Sequence, residues 1–321
     1  MASGAPAGGT RGGSGSGSYK VARAEVRPAR RAARSSFPSP PPAPLRVDFP
    51  DRLRQVTAET GTCLCVGLDP DPARLPSPLA GRSAGKVSGA VLQFCNAITE
   101  ATAPHAAAFK PNLAFFEALG PDGAVVLEMV AIAVREAGRL LVLDGKRGDV
   151  GHTAERYAAA LYDRLGADAV TVAPYMGRDS LTPFLQHEGR CAFALVATSN
   201  PGADDLQGLD VGGEPLYRHV ARLAASVGAE APGTAGFVVG ATRPAVLAGL
   251  REEFPDVPFL VPGVGAQGGE IDDVLRANAG GPLLVNVSRS ILYAAAGDDF
   301  AEAAGAAARR YSEQLRVVRR A

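Results

Sequence analysis

Cysteine and histidine are scarce in this sequence, four of each among 321 residues, and neither recurs at a metal-ligand spacing. With no CxxC pair and no Cys/His cluster, nothing supports a zinc ribbon, a finger or any other metal site. Cys63, Cys65, Cys95 and Cys191 read instead as buried, reduced thiols of a cytoplasmic protein. No apolar run approaches the roughly 20 residues that a membrane-spanning helix needs, so no membrane partner is expected. The N-terminus lacks the apolar core of a secretory signal. No GxGxxG follows the first strand candidate, which argues against an open dinucleotide-binding sheet. A cofactor motif is missing too, and none is expected.

Net charge is also absent, but the zero total hides an asymmetry. Residues 1–46 hold eight basic residues and one acid, a charge of +7; the remaining 25 basic and 32 acidic residues give −7. This first segment is rich in Gly, Ser, Ala, Pro and Arg, and it cannot bury enough apolar area to offset its ordering entropy. It is expected to be a disordered basic extension. Its bias also fits an organellar transit peptide, but a solvated tail is the simpler reading, because the Ala/Gly/Arg bias runs through the whole chain. Residues 47–321 form a mildly acidic body, which argues against nucleic acid as the partner of the folded part.

The body alternates short apolar runs with longer periodic stretches. Strands are expected at Cys63–Leu68, Ala106–Phe109, Leu140–Leu143, Ala169–Val172, Ala192–Ala197, Phe237–Val239, Phe259–Val261 and Leu283–Val287. Helices are expected between them, among them Ala90–Ala103, Gly123–Ala137, His152–Leu165, Leu216–Val227 and Glu270–Ala277. Eight strands alternating with helices imply an α/β fold of the (β/α)8 TIM-barrel type.

Chemistry in such a barrel gathers where the strands end. The third strand runs into Asp144-Gly145-Lys146-Arg147-Gly148-Asp149. Asp144 and Lys146 are two residues apart, so on an extended strand both point to one side. An acid, a base and a second acid at the mouth of a buried strand lose solvation, so they must pair or serve a ligand. Neighbouring strands end alike: Leu68-Asp69-Pro70, Phe109-Lys110-Pro111-Asn112 and Thr198-Ser199-Asn200-Pro201-Gly202. A lone lysine there is usually a surface residue, and Asp69-Pro70 alone is ordinary turn chemistry. Their weight comes from company.

Strands seven and eight suggest a phosphate site. Gly263, Gly265, Gly268 and Gly269 should leave amides open to an anion, with a helix start near Glu270 adding its dipole. Arg289 can add a bidentate grip. The bland reading is a glycine-rich turn beside a surface arginine; together, the two motifs favour phosphate.

At these residues the chain resembles the orotidine 5′-monophosphate decarboxylase family, from about Phe49 to about Tyr311. Leu68-Asp69-Pro70, Phe109–Asn112, Asp144–Asp149, Thr198–Gly202, Gly263–Gly269 and Ser288-Arg289-Ser290 stand in the family's order, and Val238–Pro244 resembles its longer bacterial subgroup. Gly145 stands where many members have Ala, a change expected to be tolerated. The basic tail has no counterpart in the family core.

The resemblance implies a cofactor-free, metal-free decarboxylation of orotidine monophosphate to UMP, in a homodimer whose active sites are shared between subunits. Lys110, Asp144 and Lys146 would act from one subunit, while Asp149 and Thr153 reach in from the other. Lys146 would protonate C6. Asp69 would hold a ribose hydroxyl and Ser199 the pyrimidine, with Gln267, Arg289 and the backbone around Gly265 on the phosphate. Residues Pro201–Gly213 would form a lid.

Rival readings remain. A Mg2+-dependent sugar-phosphate decarboxylase or hexulose-phosphate synthase shares Asp-x-Lys-x-x-Asp, but Lys110 puts a cation where those have a metal-ligating acid. A Schiff-base aldolase is disfavoured by the flanking acids. A catalytically dead barrel that only binds phosphate, or acts as a scaffold through its tail, would have no need of the charge cluster.

Overall fold

The computed structural model describes residues 47–81, 84–265 and 269–316. The basic segment 1–46 lies outside the described residues. Eight strands close into a parallel barrel in chain order. They are β1 (Leu64–Leu68), β2 (Ala108–Pro111), β3 (Leu140–Arg147), β4 (Ala169–Val172), β5 (Cys191–Ala197), β6 (Thr234–Val239), β7 (Phe259–Pro262) and β8 (Leu283–Val287). Pairing of Leu64 with Val285 and of Cys65 with Asn286 joins β8 to β1 and removes both sheet edges. The strands are apolar runs because both faces are covered, helices outside and side chains inside.

All eight strands fall where the sequence places them, with differences at their ends. β2 begins at Ala108 and ends at Pro111, so Lys110 is inside the strand rather than beyond it. β3 continues to Arg147, but through a bulge: Leu143 pairs with Val170 and Arg147 with Val172, four positions against two. The helix expected over 152–165 is α-helical only at Gly151–Ala158 and continues as a π-helix over Ala159–Arg164. Within that wider turn, buried Tyr162 donates to the Cys191 carbonyl at 2.8 Å.

The bottom of the barrel is plugged by α1 (Phe49–Thr60), a helix the strand pattern did not reveal. Phe49, Leu53 and Val56 pack among Cys65, Ala108, Leu140, Phe193 and Leu284. Phe49 meets Phe193 edge to face, with ring centroids 5.9 Å apart. Arg52 pins the helix to the buried Asp168 carboxylate at 2.8 Å, whose other oxygen accepts the Leu141 N–H at 2.8 Å. Gly61, in the left-handed region at φ +69°, ends the helix and turns the chain into β1. One end of the barrel is thereby closed, leaving the other for ligands.

Candidate active site

Alternate residues of each strand face the barrel interior. Below, Cys65, Ala108, Leu140, Val142, Ala169 and Leu284 form the apolar floor over α1. Two positions further up, the same inward columns carry Gly67, Lys110, Asp144, Thr171 and Asn286. A cavity of about 170 Å³ opens there, lined by Lys110, Asp144, Asn286 and, higher, Asp69, Asn112, Ser288 and Arg289.

Asp144 is the centre of the charge network. Its Oδ2 accepts from Lys110 Nζ at 2.5 Å, and its Oδ1 accepts from Lys146 Nζ at 2.6 Å and Thr171 Oγ1 at 2.8 Å. Lys110 and Asp144 are buried, whereas the Lys146 side chain is 50% exposed. Burial disfavours the Asp144 carboxylate, but Lys110 and then Lys146 overcome it and hold the acid well below the usual carboxylate range. Burial likewise works against the Lys110 ammonium, yet Asp144 and Asp69 push it up to about 12. Asp144 and Lys110 are therefore both ionised near neutrality. Cys65, directly below, is pushed by burial to about 12 and stays a thiol. All four cysteines are buried and free.

The bulge in β3 shapes this cluster. Lys146 has φ +46°, a left-handed conformation unfavourable for a residue with a Cβ. The meeting of Asp144 with Lys146 thus comes from a turned backbone, not from the regular extended strand that the spacing suggested. The Lys146 N–H donates to Thr171 Oγ1 at 2.9 Å. A Cβ on Gly145 would come 2.9 Å from Leu113 Cδ2, the movable tip of a side chain, so alanine there needs only a small shift.

The phosphate end differs from expectation. The Gly265 N–H donates to the Gly269 carbonyl at 3.1 Å, and the Gly269 N–H to the Gly263 carbonyl at 3.2 Å. Gly263 (φ +101°) and Gly265 (φ +72°) take conformations that favour glycine, and the Gly265 and Gly269 amides are occupied rather than open. Gln267 and Gly268 lie outside the described residues. Arg289 stands exposed beside the cavity at the start of the short helix Arg289–Leu292, with no acidic partner among the described residues. The helix Ile271–Asn278 starts one residue after the expected Glu270, which occupies the N-cap position without a side-chain capping bond.

The remaining residues divide. Asp69 lines the cavity, and its Oδ1 is buried with no hydrogen-bond partner among the described residues. Ser199 packs against Gly240, where a Cβ would come 2.8 Å from its own. Asp149 and Thr153 make no hydrogen bond or ion pair with Lys146 within the chain. Asp149 Oδ1 accepts the Val150 N–H at 2.8 Å, and the Thr153 N–H donates to the Val150 carbonyl at 3.0 Å. The expected lid is partly ordered as a 3-10 turn, Pro201–Asp205, and a small hairpin pairing Asp210–Val211 with Glu214–Pro215. Arg243 Nη2 holds Asp204 at 2.7 Å and ties the turn to the loop after β6.

Asn112, Thr171, Asn286 and Ser288 were not singled out from the sequence as site residues. Asn286 is buried, its Nδ2 donates to Ser288 Oγ at 3.2 Å, and its Oδ1 has no partner among the described residues. The signal was available: each lies an even number of positions from a floor residue of its own strand.

A parallel barrel closed at its base, with coupled charges at the C-terminal strand ends and a free arginine over the cavity, defines a TIM-barrel enzyme for a phosphorylated small molecule. The comparisons sharpen this class. The family model for "Orotidine 5'-phosphate decarboxylase / HUMPS family" matches residues 62–306. A protein of Azoarcus sp. (strain BH72) named orotidine 5'-phosphate decarboxylase is 47% identical over 274 residues, covering 84% of this chain and 99% of that one. Among solved structures, Leishmania donovani OMP decarboxylase matches with TM-score 0.70 and 38% identity, over 84% of this chain and 99% of that one. Leishmania donovani UMP synthase matches with TM-score 0.71 and 40% identity over 83% of this chain, which spans 57% of that longer protein. The chain belongs to the orotidine 5′-phosphate decarboxylase / HUMPS family.

Proposed function

We propose that the chain removes CO2 from orotidine 5′-monophosphate to give UMP, the last step of de novo pyrimidine synthesis, without a cofactor. The observation that carries this reading is the Lys110–Asp144–Lys146 row beside a cavity ending at Arg289. Breaking the bond between C6 and the carboxylate leaves the electron pair on C6. A fixed cation beside that carbon stabilises the developing charge without reorganising. Lys146 Nζ is the group for this, and its proton passes to C6 as CO2 departs; the neutral amine then regains a proton from solvent. Asp144 would face the substrate carboxylate, a repulsion relieved when CO2 leaves. Lys110, locked on the other oxygen, keeps Asp144 ionised and in place.

Arg289 would grip the phosphate, with Gln267 and the turn at Gly265 beside it. Asp69 offers its unpartnered oxygen to a ribose hydroxyl, and Ser199 would face the pyrimidine. Binding energy gained at the phosphate, remote from C6, can drive closure of the 201–213 lid and desolvation of the charges.

The Mg2+-dependent alternative fits less well. Both oxygens of Asp144 are already taken by ammonium groups, and two adjacent positive charges repel a divalent cation. An absorbance assay with orotidine monophosphate, with and without EDTA, tests the reading. Turnover indifferent to EDTA is expected; failure of the full chain to turn over would refute it.

A homodimer with shared sites would give Asp149 and Thr153, which make no bond to Lys146 of their own chain, a place in the neighbouring site. Val150, Tyr175 and Met176 support it, since the loops after β3 and β4 expose these apolar side chains at the same end of the barrel. Mixing Lys146→Ala chains with Asp149→Ala chains should restore activity lost by each alone, because one site of each hybrid would be intact. No helix among the described residues is long and apolar enough to cross a membrane. With its reduced, buried thiols, the chain is placed by this reading in the cytoplasm, with a nucleotide and a second copy of itself as partners and no nucleic acid.

A further inference from the structure

Thr171 has two bonds in the charge cluster that its place in β4 does not require. Its side chain is buried, on the inward column above Ala169. The hydroxyl accepts from the Lys146 backbone N–H at 2.9 Å and donates to Asp144 Oδ1 at 2.8 Å. Lys146 Nζ donates to that same oxygen at 2.6 Å. The four groups form a closed ring: Lys146 amide, Thr171 hydroxyl, Asp144 carboxylate, Lys146 ammonium.

The ring sits where regular backbone pairing fails. Between Leu143 and Arg147, the β3–β4 ladder is interrupted by the bulge, and Lys146 adopts φ +46°. An amide released from its ladder must find another acceptor or lose hydrogen bonding. A hydroxyl suits this place because it accepts from the amide and donates to the carboxylate at once.

We propose that Thr171 is a positioning residue for the proton-donating lysine: it holds the left-handed turn at Lys146 and aligns Asp144, so that the ammonium of Lys146 is aimed at the reacting carbon. The inference rests on the decarboxylase reading given above. Thr171 need not touch the substrate. It acts by fixing both ends of a half-exposed lysine whose tip must be placed to within a fraction of an ångström.

The test compares Thr171→Val, which keeps the shape and removes the hydroxyl, with Thr171→Ser, which keeps the hydroxyl. Thr171→Ala, which adds no bulk, is measured alongside in case valine is not accommodated. For each full-length variant the readouts are kcat and KM with orotidine monophosphate, UMP affinity by calorimetry, and Tm. Thr171→Val and Thr171→Ala should lower kcat roughly ten- to a hundredfold, the scale expected of a misplaced reacting group. UMP affinity should be unchanged, and Thr171→Ser should restore most of kcat. A kcat near wild type in Thr171→Val and Thr171→Ala would overturn the proposal. So would a parallel loss of kcat, UMP affinity and Tm in all three variants, because that is the pattern of a residue that only packs. Wild-type chain measured beside them separates the two failures: no wild-type turnover sinks the decarboxylase reading and this inference with it, whereas active wild type with indifferent variants sinks this inference alone.

Discussion

Replacing Lys110 by methionine removes the buried cation while keeping most of the side chain's volume. Lys110 is 5% exposed and lies 2.5 Å from Asp144, so solvent screens little of the interaction. Its rise from an ordinary 10.5 to about 12 corresponds to roughly 2 kcal/mol in favour of the folded chain. The variant loses that and leaves Asp144 buried with only Lys146 and Thr171. Removing one partner of a buried pair costs about 3–5 kcal/mol, or roughly 6–20 °C in Tm at 2–4 °C per kcal/mol. The double variant Lys110→Met/Asp144→Asn, which also removes the orphaned charge, should recover much of that loss. The pH dependence follows from the signs of the two shifts. A raised lysine contributes stability below 10.5 and loses it as pH rises through about 12. A depressed carboxylate contributes above its ordinary 3.8 and loses its contribution as pH falls below it. The gap in Tm between wild type and Lys110→Met should therefore be widest from about pH 5 to 10 and shrink in strong acid and above about pH 11. Thermal unfolding followed by circular dichroism across that range tests this. An equal Tm for the two proteins at pH 7.5, or a gap independent of pH, would refute the coupled network.

Lys146→Ala should lower kcat by at least about a thousandfold, the upper range for a positioned general acid, and leave Tm nearly unchanged because the side chain is half exposed. Near-wild-type turnover would remove Lys146 from the reaction. Arg289→Ala should reduce kcat/KM roughly 30- to 1000-fold, with partial rescue by free phosphite, since phosphate loses its charged partner. Unchanged kinetics would take Arg289 out of the phosphate site. Gly67→Ala should raise KM and lower stability by about 1–3 kcal/mol, because its Cβ would come 1.8 Å from Ser288 Oγ, next to Arg289. Steady-state kinetics beside a melting curve would show whether Ser288 moves as this requires.

Most of the barrel was legible because burial on both faces makes its strands continuous apolar runs. Ala169–Val172 and Leu283–Val287 have the bounds read from sequence. Where chemistry takes over, legibility fails. At Lys146 a strand reading places both charges on one side, but their contact depends on a bulge and a left-handed turn that no local pattern announces. The glycines of the strand-seven loop showed where the chain turns, but not that the Gly265 and Gly269 amides would bond within the turn. α1 escaped notice because its apolar face serves as the floor of a barrel built from residues far away in sequence.

These failures have one physical source. Side-chain alternation is a property of a single strand, whereas Thr171, Asn286 and Lys110 gain their roles from strands brought beside β3 and β1 by closure. Once closure is granted, alternation becomes informative again. It carries the inward column of each strand from an apolar floor to a polar rim, and the charged residues cluster at the level where the floor ends. The apolar floor and its Phe49 plug exclude water from beneath Asp144, which strengthens every interaction above them. The stability held in that floor is what lets three charges be crowded into one cavity, so a variant that loosens α1, such as one lacking the Arg52–Asp168 bridge, bears on the chemistry without touching it.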